Sequence, residues 1–220
     1  NHRFPINNSL GSISKYTKNK KIKIGYFSGD FRNHPVAYLV TELFEAHDKS
    51  KFELFAFSLS NKIESDTRVR IEKSFDEFVD AANYSDTEVA LLAREKEIDI
   101  AIDLGGHTKN SRPEIFAMRA APIQINYLGY PGTTGTDYID YNIADKFIVP
   151  EELQKYYSEK IIYLPKCYQP NEKKITLGRK IFSKKSEGLP ENSFIFACFN
   201  NSWKITPKIF TLWIKLLSLV

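Results

Sequence analysis

The chain has 220 residues, 42% hydrophobic and 26% charged, with 12 Tyr and 16 Phe, a composition that builds a packed core and excludes a disordered polypeptide. Lys and Arg total 31 against 27 Asp and Glu, a net charge of +4, and part of the excess lies in the polar tracts Lys15–Lys23 and Lys173–Lys185, each with a single aromatic (Tyr16, Phe182) and not an interleaved series, so no nucleic-acid partner is expected. The two cysteines, Cys167 and Cys198, stand far apart outside any CxxC spacing, which favours a reduced cytoplasmic compartment over a disulfide scaffold, and no apolar run nears the roughly 18 residues that span a bilayer, so no membrane partner is expected.

In chain order, residues 1–20 read as a linker rich in Asn, Ser, Gly and Lys. The N-terminus lacks the apolar core of a signal peptide, and a start at Asn1 in place of Met points to a processed or excised piece. Lys21 to Phe27 alternates and then turns apolar, as a strand entering a core does, and Ser28 to Asp30 supplies turn residues. Leu39, Val40, Leu43 and Phe44 recur at helical spacing. Phe52 to Leu59 is a second strand, and Ser65 to Phe75 and Thr87 to Lys96 have the mixed pattern of surface helices. Ile98 to Leu104 is a third strand, apolar enough to be covered on both faces, followed by Gly105 and Gly106.

Pro113 to Met118 suits a short helix with Pro113 in its first turn, Ile123 to Leu128 another strand, and Gly129 to Gly135 a Gly-rich loop. Ile139 to Ile143 and Ile161 to Leu164 complete the strands, with a helix over Glu151 to Tyr157 between them. Short strands separated by helices predict a mostly parallel α/β sheet over residues 21–170, with its ligand beyond the carboxyl ends of the strands. Residues 171–192 read as an interdomain connection, Phe194 to Phe199 as a new buried strand, and Pro207 to Val220 as an amphipathic helix, so that 193–220 open a second domain. No repeat of 20 to 50 residues is present.

Four segments after strands can carry chemistry. Asp30 to Pro35 sets a carboxylate, an amide and an imidazole behind the first strand; either Asp30 or Asn33 caps the next helix, or His34 takes a hydrogen-bonding or proton-transfer role. Asp103 to Thr108 repeats the theme, with His107 and Thr108 able to supply directed polar contacts or simply to form a turn. The loop Gly129 to Gly135 matches neither GxGxxG nor a Walker loop, yet its backbone amides suit sugar hydroxyls or phosphate. In Phe199 to Ile205, Lys204 either neutralises a diphosphate or is merely solvated beside a packed Trp203. No metal is expected, because His34 and His107 lack a nearby acidic or cysteine cluster.

Read in order, the stretches beginning at Ser28, Asp103, Ala121, Asp137, Tyr156 and Phe199 (SGDFRNHPV, DLGGHTKNSR, APIQINYLGYPGTTG, DYIDYNIADKFIVP, YYSEKIIYLP, FNNSWKITP) resemble the O-GlcNAc transferase and SPINDLY family over about residues 21–220. The resemblance implies a two-lobe, GT-B type glycosyltransferase with Rossmann-like lobes, tetratricopeptide repeats upstream, and no cofactor. The present chain would then hold the N-terminal lobe and the start of the second.

The same resemblance implies inverting transfer of N-acetylglucosamine from UDP-GlcNAc to Ser or Thr of a protein acceptor. A SPINDLY-like protein O-fucosyltransferase using GDP-fucose and a noncatalytic interaction scaffold are the alternatives. By position, His34, Asp30 and Lys204 correspond to catalytic groups, and Asn33, Pro131, Gly132, Thr133, Asn201 and Lys204 to donor-binding ones. His107, Thr108 and Trp203 are secondary candidates. The 220 residues alone are expected to be inactive, because the uridine pocket of the family falls beyond Val220.

Overall fold

The computed structural model describes residues 4–17, 20–173 and 181–219. The chain divides into two compact units, Asn1–Ile175 and Thr176–Val220.

Unit 1 is built on a seven-stranded parallel sheet with strand order β3-β2-β1-β4-β5-β6-β7. Its strands are β1 (Ile22–Ser28), β2 (Phe52–Ser58), β3 (Glu77–Asp80), β4 (Ile100–Asp103), β5 (Ile123–Asn126), β6 (Tyr141–Ala144) and β7 (Lys160–Tyr163). The intervening helices are α1 (Pro35–Glu45), α2 (Asp66–Ser74), α3 (Asp86–Glu95) and α4 (Pro113–Ala117).

Successive strand residues point to opposite faces, and both faces here are apolar, so each must be covered. Ile24, Tyr26, Leu54, Ile102 and Ile125 meet Val40 and Phe44 of α1 and Ile71 of α2 in one buried cluster. Phe27, Phe55, Phe57 and Ala101 meet Val89, Ala90 and Ala93 of α3 and Ile115 and Phe116 of α4 in the other. Phe27 and Phe57, register partners on β1 and β2, stack with ring centroids 4.4 Å apart. This is the mostly parallel α/β sheet that the strand and helix periods predict, in the Rossmann-like form that the family resemblance implies.

Several elements depart from the sequence reading. Strand β3 was not expected: it is a half-exposed edge strand whose charged ends, Glu77 and Asp80, give no apolar run to detect. The helix expected over Glu151 to Tyr157 forms as a 3-10 helix, Glu151–Tyr156. The described part of the expected N-terminal linker lies along unit 1: Asn7 donates its amide to the Ala117 carbonyl at 2.9 Å, and the Arg94 guanidinium holds the carbonyls of Leu10 at 2.6 Å and Gly11 at 3.0 Å. Of the expected connection over residues 171–192, residues 174–180 lie outside the described residues.

Unit 2 contains a short 3-10 helix, Ser202–Lys204, and α5 (Pro207–Leu217), which the Thr206 hydroxyl caps by accepting from the Ile209 amide. The strand expected over Phe194 to Phe199 does not form; Phe194 and Phe199 are 80% and 99% exposed. A strand exists only through bonds to a neighbour, and none is present among the described residues of this unit.

Candidate functional site

From β1 the chain winds outward through β2 and β3, and from β4 it winds the opposite way through β5, β6 and β7. The order therefore reverses between β1 and β4, and ligands of open parallel sheets collect beyond the carboxyl ends of the strands at that point. Loops after β1, β4 and β5 share this edge of the sheet because the three strands are adjacent and parallel.

They also touch. A side chain at Gly29 would meet Cβ of Asn110 at 3.0 Å and its carbonyl oxygen at 3.1 Å. A Cβ at Gly129 would overlap the Leu104 carbonyl oxygen, and one at Gly106, whose φ is +55°, would collide with Tyr130. Glycine at these points is what lets three loops close on one another.

In the loop after β1, Asp30 is buried, its amide donates to the Ser28 hydroxyl at 3.0 Å, and its carboxylate accepts from the Arg32 guanidinium at 2.9 Å. His34 itself caps α1, with Nδ1 accepting from the Val36 amide at 3.3 Å. Neither Asp30 nor Asn33 caps the helix, because Pro35 occupies its first position and places His34 next to the free amides. With Nδ1 an acceptor, the ring carries its proton on Nε2 and presents a donor; the Asp30 carboxylate lies 3.6 Å from Nδ1 without a hydrogen bond. Asn33 is exposed on the same loop.

In the loop after β4, the buried Asp103 carboxylate accepts from the amides of Gly105 at 2.8 Å and Gly106 at 3.1 Å. Burial pushes its pKa up from 3.8 to about 6, against the pull of those amides and of His107. His107 donates from Nε2 to the Thr134 carbonyl at 2.8 Å, and Thr108 donates to the Gly105 carbonyl at 2.8 Å. Beside them opens a cleft of about 690 Å³ lined by His107, Thr108, Ser111, Glu114, Thr134 and Thr136 among others.

The loop after β5 is held from beneath. Asn126 donates its amide to the carbonyls of Tyr130 at 2.9 Å and Gly132 at 3.4 Å, and Asn142 to that of Gly132 at 3.1 Å. The exposed Pro131 accepts at its carbonyl from the Tyr157 hydroxyl at 3.2 Å. Thr133 donates its hydroxyl to Glu159 at 2.7 Å, so this side chain is committed to the protein and what the loop offers a ligand is backbone.

Asn201, Trp203 and Lys204 lie in unit 2. Asn201 precedes the short 3-10 helix and accepts the Lys204 amide at 3.0 Å; Trp203 and Lys204 are exposed, with the ammonium 5.6 Å from the indole centre. Lys204 has no carboxylate partner among the described residues. Among the described residues no group of three or more His, Cys, Asp or Glu could hold a metal ion, and no helix is long and apolar enough to cross a membrane.

Sequence reasoning gave no role to Asp103 or Glu159. Asp103 was readable as the polar residue ending an apolar strand before two glycines, whereas Glu159, although inside the motif YYSEKIIYLP, stands between Ser158 and Lys160 as a solvated carboxylate would.

Residues 7–175 match the model of glycosyl transferase family 41. The chain is 41% identical over 206 residues to the probable UDP-N-acetylglucosamine peptide N-acetylglucosaminyltransferase SEC of Arabidopsis thaliana, covering 91% of this chain and 21% of that protein. It is 31% identical over 212 residues to SPINDLY of the same plant, covering 91% and 22%. A mutant O-GlcNAc transferase of Thermobaculum terrenum superposes with a TM-score of 0.78 at 31% identity, over 90% of this chain and 37% of that one. The chain thus spans about a fifth of the length of these curated relatives.

Proposed function

The chain belongs to glycosyl transferase family 41, and from that membership we propose that it supplies the first lobe, and the start of the second, of a GT-B type protein O-glycosyltransferase. The reaction is transfer of N-acetylglucosamine from UDP-GlcNAc to a Ser or Thr hydroxyl of a protein, with inversion at the anomeric carbon. The observation that carries the reading is the meeting of three loops at the switch point of the sheet, Gly29 against Asn110 and Gly129 against Leu104.

In this reaction the acceptor oxygen bonds to the anomeric carbon, the bond from that carbon to the diphosphate oxygen breaks, and the acceptor loses its proton. Negative charge grows on the departing UDP. Lys204 is assigned to that charge, supported by its exposure and its lack of a carboxylate partner among the described residues. His34, whose Nδ1 accepts from the Val36 amide, is assigned a directing role: Nε2 donates to a substrate oxygen, and Asp30, fastened by Arg32, keeps the loop in place. Asn33 and the backbone of Pro131, Gly132 and Thr133 are assigned to the donor sugar, Asn201 and Trp203 to the donor on the side of unit 2.

Both cysteines are free, which supports a reducing, cytoplasmic setting. Mass spectrometry of acceptor peptides incubated with the full-length protein and either UDP-GlcNAc or GDP-fucose tests the reading. An N-acetylhexosamine adduct is expected; a deoxyhexose adduct reassigns the donor, and no adduct from either removes the catalytic reading.

A further inference from the structure

Glu159, just before β7, is a buried carboxylate with both oxygens occupied. Oε1 accepts from the Thr134 amide at 2.6 Å and from the Thr134 hydroxyl; Oε2 accepts from the Thr133 hydroxyl at 2.7 Å and the Ser158 hydroxyl at 3.2 Å. Three of these four donors belong to the loop after β5. That loop is thus tied, across the intervening β6, to the sheet edge at β7.

The remaining bonds of the loop complete the pattern. Its Tyr130 and Gly132 carbonyls are taken by Asn126 and Asn142, its Thr134 carbonyl by His107, and the Thr133 hydroxyl also accepts from the Gly135 amide at 3.0 Å. Acceptors and hydroxyls of the loop are turned into the protein, while the amides of Gly132 and Thr133 have no partner among the described residues. A buried acceptor that gathers several donors holds its neighbours in one arrangement, since releasing any of them leaves a polar group unpaired.

We propose that Glu159 is a positioning residue for donor binding: it presets the loop over residues 129–135 so that the backbone of Gly132 and Thr133 is ready for the sugar nucleotide. The proposal rests on the transferase reading above and adds to it a residue that contacts the loop and not the substrate. Losing the carboxylate leaves the loop to reorder on each binding event, which raises KM for the donor more than it lowers kcat.

The experiment compares Glu159→Ala, Glu159→Gln and Ser85→Ala in the full-length protein, with UDP-GlcNAc as the donor. Glu159→Ala is expected to raise donor KM about tenfold with acceptor KM unchanged, and Glu159→Gln, which keeps an acceptor oxygen for the Thr134 amide, to recover most of the loss. Ser85→Ala breaks the capping box of α3, far from the loop in sequence, and is expected to lower the melting temperature with donor KM intact. Hydrogen exchange in residues 129–136 is expected to speed up about tenfold in Glu159→Ala alone. Wild-type donor KM in Glu159→Ala, or an equal rise in donor and acceptor KM, overturns the proposal. Should the wild type transfer from no sugar nucleotide, the transferase reading fails, and unaltered exchange across residues 129–136 in Glu159→Ala then overturns the positioning role as well. If Glu159→Ala does not fold, Thr134→Val, which removes the hydroxyl bond to Glu159 Oε1 and leaves the amide, carries the same measurements: exchange across residues 129–136 and donor KM both equal to wild type after a fall in melting temperature would mark the Glu159 bonds as structural only.

Discussion

The carbonyl oxygen of Leu104 occupies the space that a side chain at Gly129 would need. Leu104 follows β4 and Gly129 lies in the loop after β5, so the two loops approach closely enough to leave room for hydrogen alone. Gly129→Ala is expected to push them apart, costing about 2 kcal/mol or more, and to weaken donor binding together with stability. Urea unfolding and donor titration of the variant check this; a wild-type midpoint would show that the backbone yields cheaply.

Asp103 gives a pH dependence of defined sign. Its folded pKa, about 6, stands above the ordinary 3.8, so the folded state binds the extra proton between these values. The stability it contributes is full below about pH 4 and is lost as pH rises through about 6, an effect of at most about 3 kcal/mol. Thermal melts of wild type and Asp103→Asn from pH 4 to 7 should diverge across that window, and parallel curves would remove the assignment.

His34 combines a structural and a proposed chemical role, and two substitutions separate them. His34→Ala should cost about 1 kcal/mol by removing the cap of α1, whereas His34→Asn keeps a capping side chain and most of the stability. Transfer by the full-length protein should fall about 100-fold in both. Full activity in His34→Asn would mean that the cap is all that the residue provides.

On the role proposed for it, as counterion of the leaving diphosphate, Lys204→Ala should lower kcat of the full-length protein about 100-fold. The melting temperature should not move, because Lys204 is exposed and without an ion pair among the described residues. A raised KM with unchanged kcat would instead place Lys204 in ground-state binding.

How much of this could be read in advance follows from how far each feature depends on neighbours in sequence. Ile22–Ser28, Phe52–Ser58 and Ile100–Asp103 already carry the short apolar runs that a doubly covered parallel sheet requires, with turn residues after them, and each family motif is one contiguous stretch of sequence. Local chemistry was therefore legible: an imidazole beside Pro35, paired glycines after Asp103, a Gly-rich loop after β5. The half-exposed strand β3 and the unpaired stretch Phe194 to Phe199 were misread because strand formation is decided by a partner strand that no local pattern reveals.

Sequence alone determined the order of the elements of unit 1 apart from β3, and the identity of the loops after β1, β4 and β5. Tertiary structure decided the rest: that His34 turns Nδ1 to its own helix, that Gly129 lies under a carbonyl 25 residues earlier in the chain, at Leu104, and that Glu159, charged and unremarked in its own segment, is buried against Thr133 and Thr134. Each of these is a relation between distant backbone segments brought together by the winding of the sheet. Burial and hydrogen-bond partners arise only once that winding is complete.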